Sequence, residues 1–203
     1  MDMPSVATQT PRTLELPVAS PDGHEAVLLA CIPAAPRARL LWVPALGVAA
    51  RHYLPFADAL AARGIAVFLH EWRGNGSSSL RASRACDWGY RELLEDIAAS
   101  DAVATATAPQ LPRVLGGHSL GGQLAGLHLA LHPDAASAED GHAVEIAGRR
   151  GLRMYRAALD AGVLLRPLGD VLYWMPPYCV DDAQLALMAD ATAAALAEAV
   201  RCA

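Results

Sequence analysis

The sequence predicts an α/β fold built on a mostly parallel sheet with helices on both faces. Two observations carry that prediction. Short apolar runs at 39–43, 65–69 and 113–116 alternate with helical patterns at 52–63, 90–107 and 120–131. Such alternation marks strand–helix–strand crossovers. The second observation is Gly117-His118-Ser119-Leu120-Gly121, set between the last of those strands and the last of those helices. A serine at a sharp strand-to-helix turn takes strained backbone angles, and small residues two positions either side make room for it. The turn lifts the Ser119 hydroxyl off the sheet and turns the Leu120 N–H, at the helix start, toward a developing oxyanion.

The elements follow in order. Residues 13–18 and 25–32 read as strands joined by a turn at Pro21-Asp22-Gly23, and a turn that tight makes the pair antiparallel. The run 39–43 is a buried strand followed by the loop Pro44-Ala45-Leu46-Gly47. A helix over 52–63 ends at Gly64, a C-cap residue. The strand 65–69 leads to the loop Arg73-Gly74-Asn75-Gly76-Ser77-Ser78. Asp87-Trp88-Gly89 is expected as the cap, at Asp87, and first turn of the amphipathic helix that runs over 90–107. After His132 the pattern changes. Residues 133–141 are small, acidic and patternless, as in a linker. A helix over 144–161 is weakened by Gly148 and Gly151. Two short strands are expected at 163–166 and 170–174, around Pro167-Leu168-Gly169. Asp181 opens a last helix, with Gln184 three residues on as its capping-box partner.

Composition narrows the chemistry. A 54% hydrophobic fraction suffices for a real core, and a formal net charge of −5 points away from nucleic acid. No apolar run approaches the ~20 residues that span a bilayer. No signal-like apolar stretch follows Asp2, Pro4 and Ser5, so the expected location is the cytoplasm. Cys31, Cys86, Cys179 and Cys202 lack metal-ligand spacing, and neither a metal nor a cofactor is expected. All 16 basic residues are arginine. Chemistry that needs an amine side chain is therefore excluded.

Residues 13–136 resemble the α/β-hydrolase superfamily, in its serine aminopeptidase and monoglyceride-lipase-like branch. The likeness rests on Pro44-Ala45-Leu46-Gly47, Glu71-Trp72-Arg73-Gly74-Asn75-Gly76-Ser77, Asp87-Trp88-Gly89 and Gly117-His118-Ser119-Leu120-Gly121-Gly122 in that order. The resemblance implies Ser119 as nucleophile and the backbone N–H groups of Leu46 and Leu120 as oxyanion hole. It also implies hydrolysis of an ester, thioester or amide of a small acyl substrate. Residues 143–203 resemble a different family. Gly162 to Gly169, then Tyr173-Trp174-Met175-Pro176-Pro177-Tyr178, look like the C-terminal end of adenosylmethionine-8-amino-7-oxononanoate aminotransferase, a pyridoxal-phosphate enzyme of biotin synthesis. That resemblance implies substrate-carboxylate binding by Arg166, a natural use of a planar, two-toothed donor. The expected organisation is a truncated hydrolase portion over 1–136, a junction at 137–142 and a small α+β segment over 143–203, as in a gene fusion.

Neither activity is complete in this reading. A Schiff base needs a lysine amine, and the chain has none. A serine hydroxyl needs a histidine oriented by a carboxylate, and in this fold the order is serine, acid, histidine. His128 lies nine residues along the helix that begins at the serine, so at ~1.5 Å per residue it is ~13 Å distant. His118, His52 and His70 read as packing or end-of-element residues. The one pair in the right order is Asp134 (or Glu139 or Asp140) with His142, too close in sequence to be delivered by separate strands. The expectation is an impaired serine hydrolase. The alternatives are an aminotransferase remnant without catalysis and a non-catalytic interaction module. A sheet edge left bare beside 113–116 would invite self-association.

Overall fold

The computed structural model describes residues 11–84, 86–132, 150–168, 171–174 and 180–200, with backbone alone at 150–152, 166–168, 171–174 and 199–200. Among the described residues, seven strands form one sheet: β1 Arg12–Ala19, β2 Glu25–Ile32, β3 Ala38–Val43, β4 Ile65–Leu69, β5 Arg113–His118, β6 Arg166–Leu168 and β7 Val171–Trp174. Their spatial order is β1-β2-β4-β3-β5-β7-β6. The strands β4, β3, β5 and β7 run parallel, while β1–β2, β2–β4 and β6–β7 are antiparallel. The helices are α1 Leu54–Ala61, α2 Tyr90–Thr107, α3 Leu120–Leu131, α4 Arg150–Asp160 and α5 Asp182–Val200. This is the α/β architecture that the alternating pattern predicts.

Residue pattern explains the layers. Every residue of β3 and β4 is buried, as for parallel strands covered on both faces. Leu40, Trp42, Ile65, Val67 and Leu69 face one core, shared with α1, α4 and α5. Leu41, Val43, Ala66 and Phe68 face the other, shared with α2 and α3. Burying each of the larger side chains contributes about 1.5–3 kcal/mol.

Three local differences from the sequence reading have identifiable causes. Pro55 lies in the first turn of α1, where its missing N–H costs nothing. The helix therefore begins at Leu54, and Ala50–Tyr53 winds into a 3-10 turn. The α2 N-cap is Gly89 rather than Asp87, because the Glu92 carboxylate turns back to accept the Gly89 N–H at 2.7 Å. Val163 does not open a strand. Its N–H bonds Ala158 O, and the N–H of Gly162 (φ 79°) bonds Leu159 O, which closes α4 in a Schellman motif. The 144–149 part of the expected helix and the junction 137–142 lie outside the described residues.

The largest difference is long-range. β7 pairs in parallel with β5, Gly117 opposite Tyr173 and His118 opposite Trp174. The edge beside the serine strand is thus covered by the C-terminal segment. Met154, Ala158, Val163, Leu165 and Leu196 of that segment share a core with α1 and β3. The segment continues the same sheet rather than forming a layer of its own. The outer strands among the described residues are β1 and β6.

A buried polar hub joins the β1–β2 turn, the loop after β4 and α2. Arg73 donates from Nε and Nη2 to both Asp96 oxygens, at 2.6 and 2.8 Å, and from Nη1 to Asp22 at 2.6 Å. Asp96 also receives the Ser20 hydroxyl and pairs with His24 Nδ1 at 3.1 Å, while His24 Nε2 meets Ser78 Oγ at 3.0 Å. The hydrogen bond from Arg73 is the main cause that holds the Asp22 carboxyl down at about 2. Removing one partner leaves the other charge stranded. Arg73→Met is expected to cost about 3–5 kcal/mol in urea unfolding.

His70 supplies a separate pH dependence. It is buried at the end of β4, its Nδ1 2.8 Å from Ser100 Oγ and its ring edge-on to Trp72. Burial pushes its pKa down from 6.5 to about 4. Between those values the unfolded chain binds more protons than the folded one, so stability falls as pH drops through that window and levels off below it. Burial shifts His118 in the same direction, whereas the Asp22 contribution is lost lower, between 3.8 and about 2. Urea midpoints measured against pH should show this limb, and His70→Gln should flatten it.

Candidate active site

Ser119 is the one non-glycine residue with positive φ among the described residues, at φ 55° and ψ −123°. The conformation costs energy and persists only because neighbouring backbone enforces it. A Cβ on Gly117 would lie 2.5 Å from Gly121 C and Gly122 N. A Cβ on Gly121 would fall on the carbonyl oxygens of Val43 and Pro44. The glycines of the motif are thus required by direct contact. Gly117 lets strand and helix close on each other, and Gly121 lets α3 meet the loop after β3. The side of Ser119 is exposed, and its hydroxyl has no hydrogen-bond partner among the described residues.

The loop after β3 stands against this turn. Ala45 to Val48 is closed by Val48 N–H to Ala45 O at 3.0 Å, with Gly47 at φ 81°, the conformation a type II turn needs at its third residue. Leu46 projects into solvent at the tip. Two side chains pin the loop. Trp72, fully buried, donates Nε1–H to Pro44 O at 3.0 Å and Ala45 O at 3.1 Å. Tyr53 Oη accepts the Ala45 N–H at 3.1 Å and lies 2.8 Å from His118 Nδ1. Burial favours neutral His118 and the protonated phenol. The Tyr53 hydroxyl thus bridges the Ala45 N–H and His118 Nδ1. Glu71, the residue before Trp72, accepts the N–H groups of Ala50 at 3.1 Å and Ser77 at 3.4 Å, and burial raises its pKa.

The arrangement offers the exposed Ser119 hydroxyl, the Leu120 N–H at the first position of α3, where no intrahelical partner exists, and the N–H of Leu46 in the loop after β3. The histidines of the described residues are occupied or turned outward. His128 Nε2 bonds Asp101 Oδ2 at 3.0 Å, far along α3, and Asp101 also takes both teeth of Arg113. His118 serves Tyr53, His70 serves Ser100, and His52 is exposed. Asp134 and His142, with Glu139 and Asp140, lie outside the described residues. Arg166 opens β6, and its side chain lies outside them too. No cluster of metal-ligating side chains occurs among the described residues, and no described helix is long and apolar enough to cross a membrane. Sequence reasoning missed Tyr53 and Trp72. Trp72 sits inside the 71–77 motif, an indole placed where a loop begins, which is the one local hint. Tyr53 carries no such signal.

A parallel sheet flanked by helices, with a strained, exposed serine between the strand and helix of a Gly-x-Ser-x-Gly turn, defines the α/β-hydrolase fold class. The chain belongs to the serine aminopeptidase, S33 family, whose family model matches residues 34–146. The fold is similar to that of esterase Est22, at 21% identity and TM-score 0.51, over 64% of this chain and 42% of the esterase. Est22 with p-nitrophenol superposes equally well, at 20% identity and TM-score 0.51 over the same shares of each chain. The chain thus spans less than half the length of these esterases. Among curated proteins, 35 residues are 57% identical to adenosylmethionine-8-amino-7-oxononanoate aminotransferase of Synechococcus elongatus, covering 17% of this chain and 8% of that enzyme.

The contact at Gly121 is directly testable. In Gly121→Ala the added carbon meets backbone, not a movable side chain, so the cost should be about 1–3 kcal/mol. For a domain of this size that lowers Tm by roughly 2–4 °C per kcal/mol in calorimetry. An unchanged Tm would show slack between α3 and the loop after β3.

Proposed function

We propose that this chain is a serine hydrolase scaffold in which Ser119 is the acyl-accepting nucleophile, with turnover impaired because no triad acid and histidine meet Ser119 among the described residues. The observation that carries this reading is the exposed Ser119 hydroxyl, without a hydrogen-bond partner among the described residues, on a positive-φ turn. Packing alone gives no reason to maintain such strain. Ser119 Oγ adds to the carbonyl carbon of an ester, thioester or amide. The carbonyl oxygen takes the negative charge and faces the N–H groups of Leu46 and Leu120, while the hydroxyl proton passes to water. Collapse expels the alcohol, thiol or amine, and water then cleaves the acyl-enzyme. Without a held base the proton transfers are slow. Oxyanion stabilisation and binding alone leave a residual acceleration of about 10³–10⁴ over water.

A second reading concerns the C-terminal segment, and the 57% identical stretch favours it. Residues 143–203 derive from an aminotransferase tail joined to the hydrolase portion, with Arg166 a former carboxylate-binding residue. With no lysine in the chain, no Schiff base forms on it, and transamination is not proposed for it.

A fluorophosphonate probe with p-nitrophenyl acetate as substrate tests the main reading. Slow labelling is expected, lost in Ser119→Ala, with ester turnover confined to the residual range of about 10³–10⁴ over water. Folded protein that takes no label overturns Ser119 as nucleophile. Fast turnover abolished by His142→Ala overturns the impairment and assigns the base.

A further inference from the structure

We propose that Trp72 and Tyr53 are positioning residues that aim the Leu46 N–H at the oxyanion; this rests on the reading of Ser119 as nucleophile. The geometry of two consecutive peptide planes supports it. In a planar trans peptide the C=O and the following N–H point in opposite directions. Ala45 O is held by the Trp72 indole N–H at 3.1 Å and by Val48 N–H at 3.0 Å. The Leu46 N–H, opposite that carbonyl in the same plane, is therefore thrown to the side away from Trp72. Among the described residues it has no hydrogen-bond partner. The preceding plane is gripped at both ends, Pro44 O by Trp72 at 3.0 Å and Ala45 N–H by Tyr53 Oη at 3.1 Å.

Tyr53 does more than hold one amide. Its hydroxyl also bonds His118 Nδ1 at 2.8 Å, and His118 is the residue before Ser119. One phenol thus ties the loop that carries the first oxyanion donor to the turn that carries the nucleophile and the second donor. Oxyanion stabilisation depends on donors that are already oriented when charge develops. A clamp that removes the freedom of both peptides flanking Ala45 supplies that preorganisation without touching substrate.

Phenylboronic acid is the probe. Ser119 Oγ forms a bond to boron and releases its proton to water, and the tetrahedral boronate anion places an oxygen in the hole. Wild type, Tyr53→Phe and Trp72→Phe are compared for boronate Kd, KM for p-nitrophenyl acetate, Tm and amide exchange at Ala45. In each folded variant the boronate Kd should rise about tenfold, the effect of losing about 1.4 kcal/mol, with KM unchanged. Ala45 exchange should accelerate in Tyr53→Phe. Boronate affinity unchanged in both folded variants, beside a normal wild-type adduct, overturns the clamp. A wild type that forms no adduct overturns the nucleophile reading itself, a distinct result. Should one variant fail to fold, the other decides.

Discussion

Two absent carbon atoms set the geometry on which this molecule depends. Gly121 lets the first turn of α3 touch the carbonyls of Val43 and Pro44, and Gly117 lets β5 and α3 close against each other. Backbone against backbone is the shortest approach two elements can make, and it is also rigid, since no side chain can yield between them. Ser119 is trapped at φ 55° in that junction. The same contact brings the loop after β3 to the start of α3, so the N–H groups of Leu46 and Leu120 come from elements far apart in sequence and adjacent in space.

The surrounding polar groups preserve that junction. Trp72 reaches the loop after β3 from the segment that follows β4, and the neighbouring residues of that segment are themselves fastened. Glu71 takes backbone N–H groups of Ala50 and Ser77, and Arg73 is clasped by Asp96 and Asp22. The indole is therefore held by fixed points on either side of it in sequence. A buried charge is weak evidence for stability but a strong determinant of uniqueness where every partner is satisfied. Here the three guanidinium nitrogens of Arg73, bonded to Asp22 and Asp96, bind turn, loop and helix into one arrangement.

What could be read from the sequence was local. The bounds of β4, α2 and α3 were legible because apolar period, Gly64 and the glycine-flanked serine mark them within a few residues of each end. The capping box at Asp181 and Gln184 was legible for the same reason, and both of its hydrogen bonds are present at 3.1 and 2.8 Å. The pairing of β7 with β5 was not, because strand neighbours far apart in sequence leave no mark in either segment. At the site, Ser119, Gly117 and Gly121 could be recognised from their spacing. The roles of Tyr53 and Trp72 could not, since each acts through a main-chain atom of another loop and main-chain atoms have no sequence signature. Arg73 looked like a turn residue because its partners, Asp22 and Asp96, stand tens of positions away.

The hairpin at the outer rim has a further consequence. Pro17 of β1 lies opposite Val27 of β2. Val27 directs its N–H to Ser77 Oγ at 2.9 Å, on the side away from β1, so Pro17 and Val27 form a pair that exchanges no ladder bonds, and the imide nitrogen of Pro17 faces outward. At the opposite rim β6 is three residues long with a proline at its centre, Pro167. A growing fibril needs an uninterrupted row of donors to template the next strand. Among the described strands, the row on the β1 side is interrupted at Pro17, the sixth of eight residues, and the row on the β6 side is three residues long, so neither rim presents a long unbroken template.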